Sequence, residues 1–246
     1  MEFSHTYLLV GFLILLPTLF GYMVWEARTV DVTTLYIDGA PQGIVFVSDP
    51  HLKDSNIEHV RNTIREINAL HPSVVLVGGD FANGKETDFG LHSIWSEIDA
   101  PVYAVLGNHD YRVGATFSSG LQRTIAVSMM EFPADGYDVA SLRGAGTDTA
   151  FADALVHELE KSGVRVLRNE YVDLSIDGEP LRIVGVDDAW AGMADPPAVP
   201  PTDAFTVYLI HEPQCRAAWD GDLILSGHTH GGQFIVPFLS QINNRG

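Results

Sequence analysis

A chain of 246 residues holds one sizeable core, or one domain with an appendage. Its 32 acidic and 14 basic residues give a formal charge of −18, which repels nucleic-acid phosphates and argues against a non-specific DNA or RNA binder, so no nucleic acid is expected as a partner. The single cysteine, Cys215, excludes an intramolecular disulfide and a thiolate metal cluster, and reads as a small packed side chain.

From Phe3 to Trp25 there is no Asp, Glu, Lys or Arg, and Tyr7, Tyr22 and Trp25 sit near the ends of the run. Nineteen helical residues at about 1.5 Å each approach a hydrocarbon core of roughly 30 Å. The run therefore predicts a single-pass transmembrane helix, with residues 1–28 as an anchor. A cleaved signal peptide is the competing reading. It is disfavoured because no Lys or Arg precedes the run and no small-x-small cleavage site follows it. Arg28 leans the remainder toward the cytoplasm on a single charge, so the side of the membrane stays open.

Residues 26–42 read as a linker leading into a first strand, with Val30, Val32 and Leu35 alternating and Asp38-Gly39 as a turn. A βαβ unit follows: a strand at 43–48, a helix at about 55–70 and a strand at 74–78. Ile57, Val60, Ile64, Ile67 and Leu70 share one face of that helix, and Pro72 stops it. A second helix near 86–98 buries Leu91, Ile94, Trp95 and Ile98, and a strand at 102–106 comes next. Residues 111–150, rich in Gly, Ser, Thr and Ala, read as an insertion suited to substrate selection. Then come a helix at about 150–161 and a strand at 164–167. Val172–Ile176 and Leu181–Val186, joined through Asp177-Gly178, form a hairpin. Asp195–Pro201 is a loop, and strands at 205–210 and 222–226 complete the pattern. This order implies a mixed α/β sandwich: a sheet covered by helices on one side, packed against a second sheet.

Five of the apolar runs end in residues of metal or phosphate chemistry. Ile44–Val47 leads into Ser48-Asp49-Pro50-His51, and Val74–Val77 into Gly78-Gly79-Asp80. Val102–Leu106 leads into Gly107-Asn108-His109-Asp110, Val207–Ile210 into His211, and Leu223–Leu225 into Ser226-Gly227-His228-Thr229-His230. Buried parallel strands read as continuous apolar runs, and open α/β sheets place their sites at the carboxyl ends of strands. The five ends therefore converge on one crevice. His5, His59, His71, His92 and His157 lie outside these motifs and read as ordinary surface or core residues. Asp187, Asp188 and Trp190 follow a strand and read as structural turn residues, with pocket lining as the alternative.

The motifs D-x-H, G-D, G-N-H-D, a lone His and G-H-x-H, in this order, resemble the calcineurin-like metallophosphoesterase superfamily over about residues 43–236. The Gly231-Gly232-Gln233 tail is similar to a branch of small, often membrane-associated bacterial and archaeal phosphoesterases. The resemblance implies a metallophosphoesterase-type β-sandwich flanked by helices over residues 29–246. It implies two divalent metal ions, with Asp49, His51 and His230 holding one, Asn108, His211 and His228 the other, and Asp80 bridging. His109 would act as general acid and Asp110 would orient it. Mn, Fe, Zn and Co all suit the mixed nitrogen and oxygen donors. Two cations, two carboxylates and a bridging hydroxide leave the site at about +1, suited to an anionic ester.

The activity so implied is hydrolysis of phosphodiester or phosphomonoester bonds by metal-activated water, on a phosphate-ester substrate that the anchor suggests is lipid-linked. Two alternatives stand beside it: a non-catalytic scaffold of the same fold, and a UDP-diacylglucosamine-type pyrophosphohydrolase. The best-known members of that last branch carry Arg where His109 stands, so a different lineage of the activity would be needed. A phosphoprotein phosphatase is disfavoured because Asp80 is followed by Phe81-Ala82-Asn83-Gly84, and a nuclease because the surface is acidic. Pro50 departs from the larger apolar residue usual there. The chain ends at Gly246, and the resemblance implies further C-terminal strands in relatives, so a truncated domain is expected.

Overall fold

The structure is a computed structural model that describes residues 5–26, 29–113, 146–213, 215 and 219–230. The expected insertion lies mostly outside them, as does the Gly231-Gly232-Gln233 tail. Packing divides the chain into two units, residues 1–36 and 37–246.

In the first unit, helix α1 spans His5–Glu26 and contains Pro17. Its side chains are described from Val10 to Trp25, and the large apolar ones are exposed, Phe20 at 68%. Among the described residues, no helix is long and apolar enough to cross a membrane. The expectation of a single-pass membrane protein, with a transmembrane anchor tying it to the bilayer, is corrected accordingly. Residues 29–36 form no strand among the described residues, and Leu35 and Tyr36 are exposed.

The second unit holds eight strands among its described residues, in two sheets of four. The first sheet is parallel throughout, in the order β1 (Ile44–Val47), β2 (Val74–Val77), β3 (Val102–Ala104), β4 (Val164–Val166). The second runs β5 (Glu170–Ile176), β6 (Glu179–Gly185), β7 (Phe205–Leu209), β8 (Leu223–Leu225). Here β5 and β6 are antiparallel, while β6, β7 and β8 are parallel. Asp177 (φ 51°) and Gly178 (φ 90°) both take the left-handed region, which the two-residue hairpin turn requires.

Helix α2 (Ile57–Ala69) buries Val60, Ile64 and Ile67, as its spacing demands, while Leu70 ends up in the C-cap and half exposed. Helix α3 (Thr149–Lys161) starts where the Asp148 carboxylate accepts the Phe151 amide, a side-chain cap. The segment expected as a helix at 86–98 is instead a 3₁₀ helix, Gly90–Glu97. Ser93 and Ser96 hydroxyls donate to the carbonyls of Gly90 and Ser93, three residues back, which favours the tighter winding. That winding buries His92 as well as Ile94 and Trp95, and the Trp95 indole N–H donates to His92 Nδ1.

Strand alternation sorts the core into layers. Val75, Val77, Val102 and Ala104 face α2, α3 and the 3₁₀ helix, whereas Val74, Leu76 and Val105 pack with Leu181, Ile183, Val207 and Leu209 between the sheets. Val184, Val186, Tyr208 and Ile210 cover the outer face of the second sheet with Trp190 and Cys215. Leu76 is fully buried between the sheets. Leu76→Ala should lower the unfolding free energy by about 2–5 kcal/mol, read as a lower urea midpoint with an unchanged slope.

Candidate active site

Parallel pairing does not stop at the strands. Beyond β1 and β2, Asp49 N–H donates to Gly79 O at 3.1 Å, His51 N–H to Asp80 O at 3.0 Å and Leu52 N–H to Phe81 O at 2.9 Å. Beyond β7 and β8, Gly227 N–H donates to His211 O at 3.0 Å. These bonds carry the sheet register into the loops and set the donor residues side by side. Asn56 secures the first loop: its side-chain amide donates to the carbonyls of Pro50 and His51.

Five of the expected donors hold left-handed backbone: Asp49 (φ 55°), His51 (39°), Asp80 (57°), His228 (68°) and His230 (51°). Such conformations cost free energy in L-residues and are retained where the surroundings over-determine them, as at functional sites. Close approach of the loops also requires glycine. A Cβ on Gly79 would lie 2.7 Å from Gly107 N and 2.8 Å from His211 Nδ1. One on Gly107 would run into Asp80 Oδ1 and lie 2.8 Å from His211 Cε1.

All seven expected metal donors fall in one cluster. Ligand atoms of Asp49, His51 and His230 lie within 4.8 Å of one another, as do those of Asp49, Asp80 and His211. His51 Nε2 is 3.2 Å from His230 Nε2 and 3.5 Å from Asp80 Oδ2. Asp80 Oδ2 is also 3.3 Å from His211 Nε2, so one carboxylate oxygen stands between the two groups. His228 Nδ1 completes the second group, 3.1 Å from Asn108 Oδ1 and 3.3 Å from His211 Nε2.

The donors are also oriented. His211 Nδ1–H donates to the Gly78 carbonyl at 2.7 Å, which turns Nε2 toward Asp80. His51 Nδ1–H donates to Ala82 O at 3.3 Å and frees its Nε2 in the same way. The Asn108 amide donates to Val113 O at 2.6 Å, which turns its oxygen inward. Asp49 accepts the His228 amide on both oxygens at 3.0 Å.

The field at this cluster favours positive charge. Burial alone would lower the basicity of His211, but Asp80, then Glu212 and Asp49, lift it to about 10. Burial likewise opposes the charge of Asp80, yet His211, His109 and His51 hold its carboxyl down to about 2. His51 and His228 are shifted below the ordinary imidazole range, chiefly by burial, which keeps their lone pairs available. Closely packed nitrogen and oxygen lone pairs at these separations suit divalent cations.

His109 stands at the edge of the cluster, its ligand atom within 4.8 Å of those of His51 and Asp80 and its ring 4.7 Å from and edge-on to that of His51. Its Nδ1–H donates to Asn83 O at 3.4 Å, and its backbone amide donates to Asp80 Oδ1 at 2.8 Å. Asp110 lies behind, fully buried, and accepts the amides of Ala82 at 2.7 Å, Gly107 at 2.9 Å and Phe81 at 3.3 Å. The hydrogen bonds of its carboxylate thus lock the loops after β2 and β3, whereas the His109 ring is held by Asn83. Burial, then the Asp80 charge, raises the Asp110 carboxyl to about 7 against those amides.

Several supporting residues carried no motif signal. Asp187, one of the residues after β6, is buried and accepts the Tyr111 hydroxyl on both oxygens at 2.8 Å and Arg168 Nε at 3.0 Å. Asp188 and Glu212 are fully buried neighbours, and burial followed by the Glu212 charge pushes the Asp188 carboxyl well above its ordinary value. A cavity of about 410 Å³ opens beside Asp49 and His230, walled by Phe46, Ser48, Ser226 and Thr229. The Ser48 hydroxyl is buried with no hydrogen-bond partner among the described residues.

The amino-acid sequence has relatives among known proteins. The calcineurin-like phosphoesterase family matches residues 43–232, and the chain belongs to that family of metal-dependent hydrolases of phosphate esters. Phosphodiesterase YaeI of Escherichia coli is 25% identical over 217 residues, which cover 83% of this chain and 66% of that protein. UDP-2,3-diacylglucosamine pyrophosphatase LpxG of Chlamydia trachomatis is 31% identical over 235 residues, covering 82% of this chain and 68% of that protein. The uncharacterized metallophosphoesterase YkuE of Bacillus subtilis is 27% identical over 213 residues, 81% of this chain and 62% of its own length. The chain thus spans about two thirds of the length of these relatives.

Gly107→Ala should displace Asp80 and His211 together. The expected result is cation binding weakened at least ~10-fold by titration calorimetry, with the far-UV circular dichroism of the folded protein retained.

Proposed function

We propose that this chain hydrolyses phosphodiester or phosphomonoester bonds with two divalent cations bound at the cluster, and that the domain spanning residues 29–246 carries the activity. The observation that carries this reading is the convergence of seven electron-pair donors from five strand ends, with Asp80 Oδ2 within 3.5 Å of both His51 and His211. Asp49, His51 and His230 would hold one cation, Asn108, His211 and His228 the other, and Asp80 would serve both. Bound there, the pair would neutralise the phosphate oxygens and lower the pKa of water toward neutrality.

The chain's own residues supply the rest. With Nδ1–H engaged by Asn83, His109 Nε2 is the atom that holds a proton for the departing oxygen. Asp110 acts at one remove, by fixing the amides on either side of Asp80 and Asn108. The cavity beside Asp49 and His230 offers room for the organic part of the ester. Similarity to LpxG favours a second reading of the same centre, hydrolysis of a lipid-linked pyrophosphate of the UDP-diacylglucosamine kind. A non-catalytic scaffold fits less well, because no donor of the set is missing.

Hydrolysis of bis-p-nitrophenyl phosphate with added Mn²⁺ tests the main reading. Asp80→Asn should abolish turnover. His109→Ala should keep the metal content and reduce kcat by ~10²–10⁴. Loss of metal in the His109 variant would assign that residue to the donors instead. UDP-diacylglucosamine turned over faster than simple esters would establish the second reading. Separately, chelation of a metal-loaded sample should lower Tm by several degrees, since a ligand at 100 times its Kd stabilises by about 2.7 kcal/mol.

A further inference from the structure

The loop after β6 forms a layer behind the second donor group. Glu212 directly follows His211 in the chain and is fully buried. Its Oε1 accepts the Trp190 amide at 2.9 Å and its Oε2 accepts the Ala189 amide at 3.2 Å. Asp188 tightens the same turn: its carboxyl accepts the Ala191 amide, and its carbonyl accepts those of Met193 at 2.8 Å and Ala194 at 3.1 Å. The turn so fixed places the Trp190 indole edge-on to the His228 imidazole, centroids 4.4 Å apart and planes at 68°. His228 in turn stands edge-on to His211, at 5.1 Å and 81°.

Resting on the two-cation reading above, we propose that Glu212 and Trp190 are positioning residues for the second cation, holding His211 and His228 in register with each other. Glu212 reaches one histidine by chain adjacency and the other through the loop it clamps. The need arises at His228. The rings of His51 and His211 are oriented by carbonyls on the nitrogen away from the site, whereas His228 presents Nδ1 and is braced by the indole. A bidentate carboxylate on two successive amides is a rigid mount, and such supporting contacts tune metal affinity without touching the metal.

Cation titration of the full chain tests this, by calorimetry with Mn²⁺ and by quenching of tryptophan emission with Co²⁺. Wild type should bind two cations in separable steps, the second quenching Trp190. Trp190→Ala and Glu212→Gln should each weaken one step by ~10–100-fold and leave the other unchanged. Trp190→Phe, which keeps an aromatic edge, should retain both affinities within about 3-fold and lose most of the quenching. Unaltered binding in Trp190→Ala, an equal loss at both steps, or full quenching in Trp190→Phe would overturn the assignment. If Trp190→Ala does not fold, Glu212→Gln and Trp190→Phe decide the matter. A wild-type chain that binds fewer than two cations would instead overturn the two-cation reading itself.

Discussion

Lone pairs repel, and this molecule holds those of two carboxylates, an amide and four imidazoles in one small volume. His51 Nε2 sits 3.2 Å from His230 Nε2, and His228 Nδ1 sits 3.3 Å from His211 Nε2. Everything else in the second unit serves to make that crowding tolerable. Parallel strands deliver the loops to one end, and the ladder persists past the strands so that neighbouring loops cannot slide. Asp110 spans the loops after β2 and β3 with three amide hydrogen bonds, and Glu212 performs the corresponding task behind His211. Both carboxylates are fully buried, so neither can trade its amides for water.

The cost is visible in the backbone. A left-handed conformation is unfavourable by roughly 1–2 kcal/mol for a residue with a side chain, less for Asp than for branched residues. Five such residues in one cluster amount to several kcal/mol, a sizeable part of the 5–15 kcal/mol that separates folded from unfolded domains. The three apolar layers around the two sheets offset it. The site is thus strained on a rigid frame, which is how a constellation stays preorganised for a charge it does not itself contain.

How much of this could be read from the residues depended on range. Strand cores and their terminal Asp and His are local patterns, so β1, β2, β3, β7 and β8, the hairpin turn at Asp177-Gly178 and the cluster of donors were all legible. The 3₁₀ helix at Gly90–Glu97 was not, because its winding comes from serine hydroxyls competing for carbonyls, and apolar spacing is nearly the same for both helix types. The alternation at Val30–Leu35 forms no strand among the described residues, so a period-two pattern alone does not make one. The apolar run of α1 invited a membrane reading from hydropathy alone. Glu212, Asn56 and Arg168 carried no signal at all, since their partners are backbone atoms and side chains distant in sequence. For Trp190 the chain offered only its place after a strand; its bearing on His228 appears once β6 and β8 are set in one sheet.

A net charge of −18 repels, at long range, a substrate that is itself an anion. The conflict dissolves on distance. Surface carboxylates are screened over about 8–10 Å at physiological salt, so most of that charge is not felt inside the crevice. What the substrate meets is local: Asp49 and Asp80 are both committed to histidines and amides, and two divalent cations would outweigh them there. The global charge instead selects against polyanions, which touch a wide surface and have no single place to shelter from it. On the proposed reading, a small phosphate ester entering beside Asp49 and His230 would make contact almost entirely with the inverted patch. On that reading, selection by size of footprint would follow from the contrast between an acidic exterior and a cation-seeking interior.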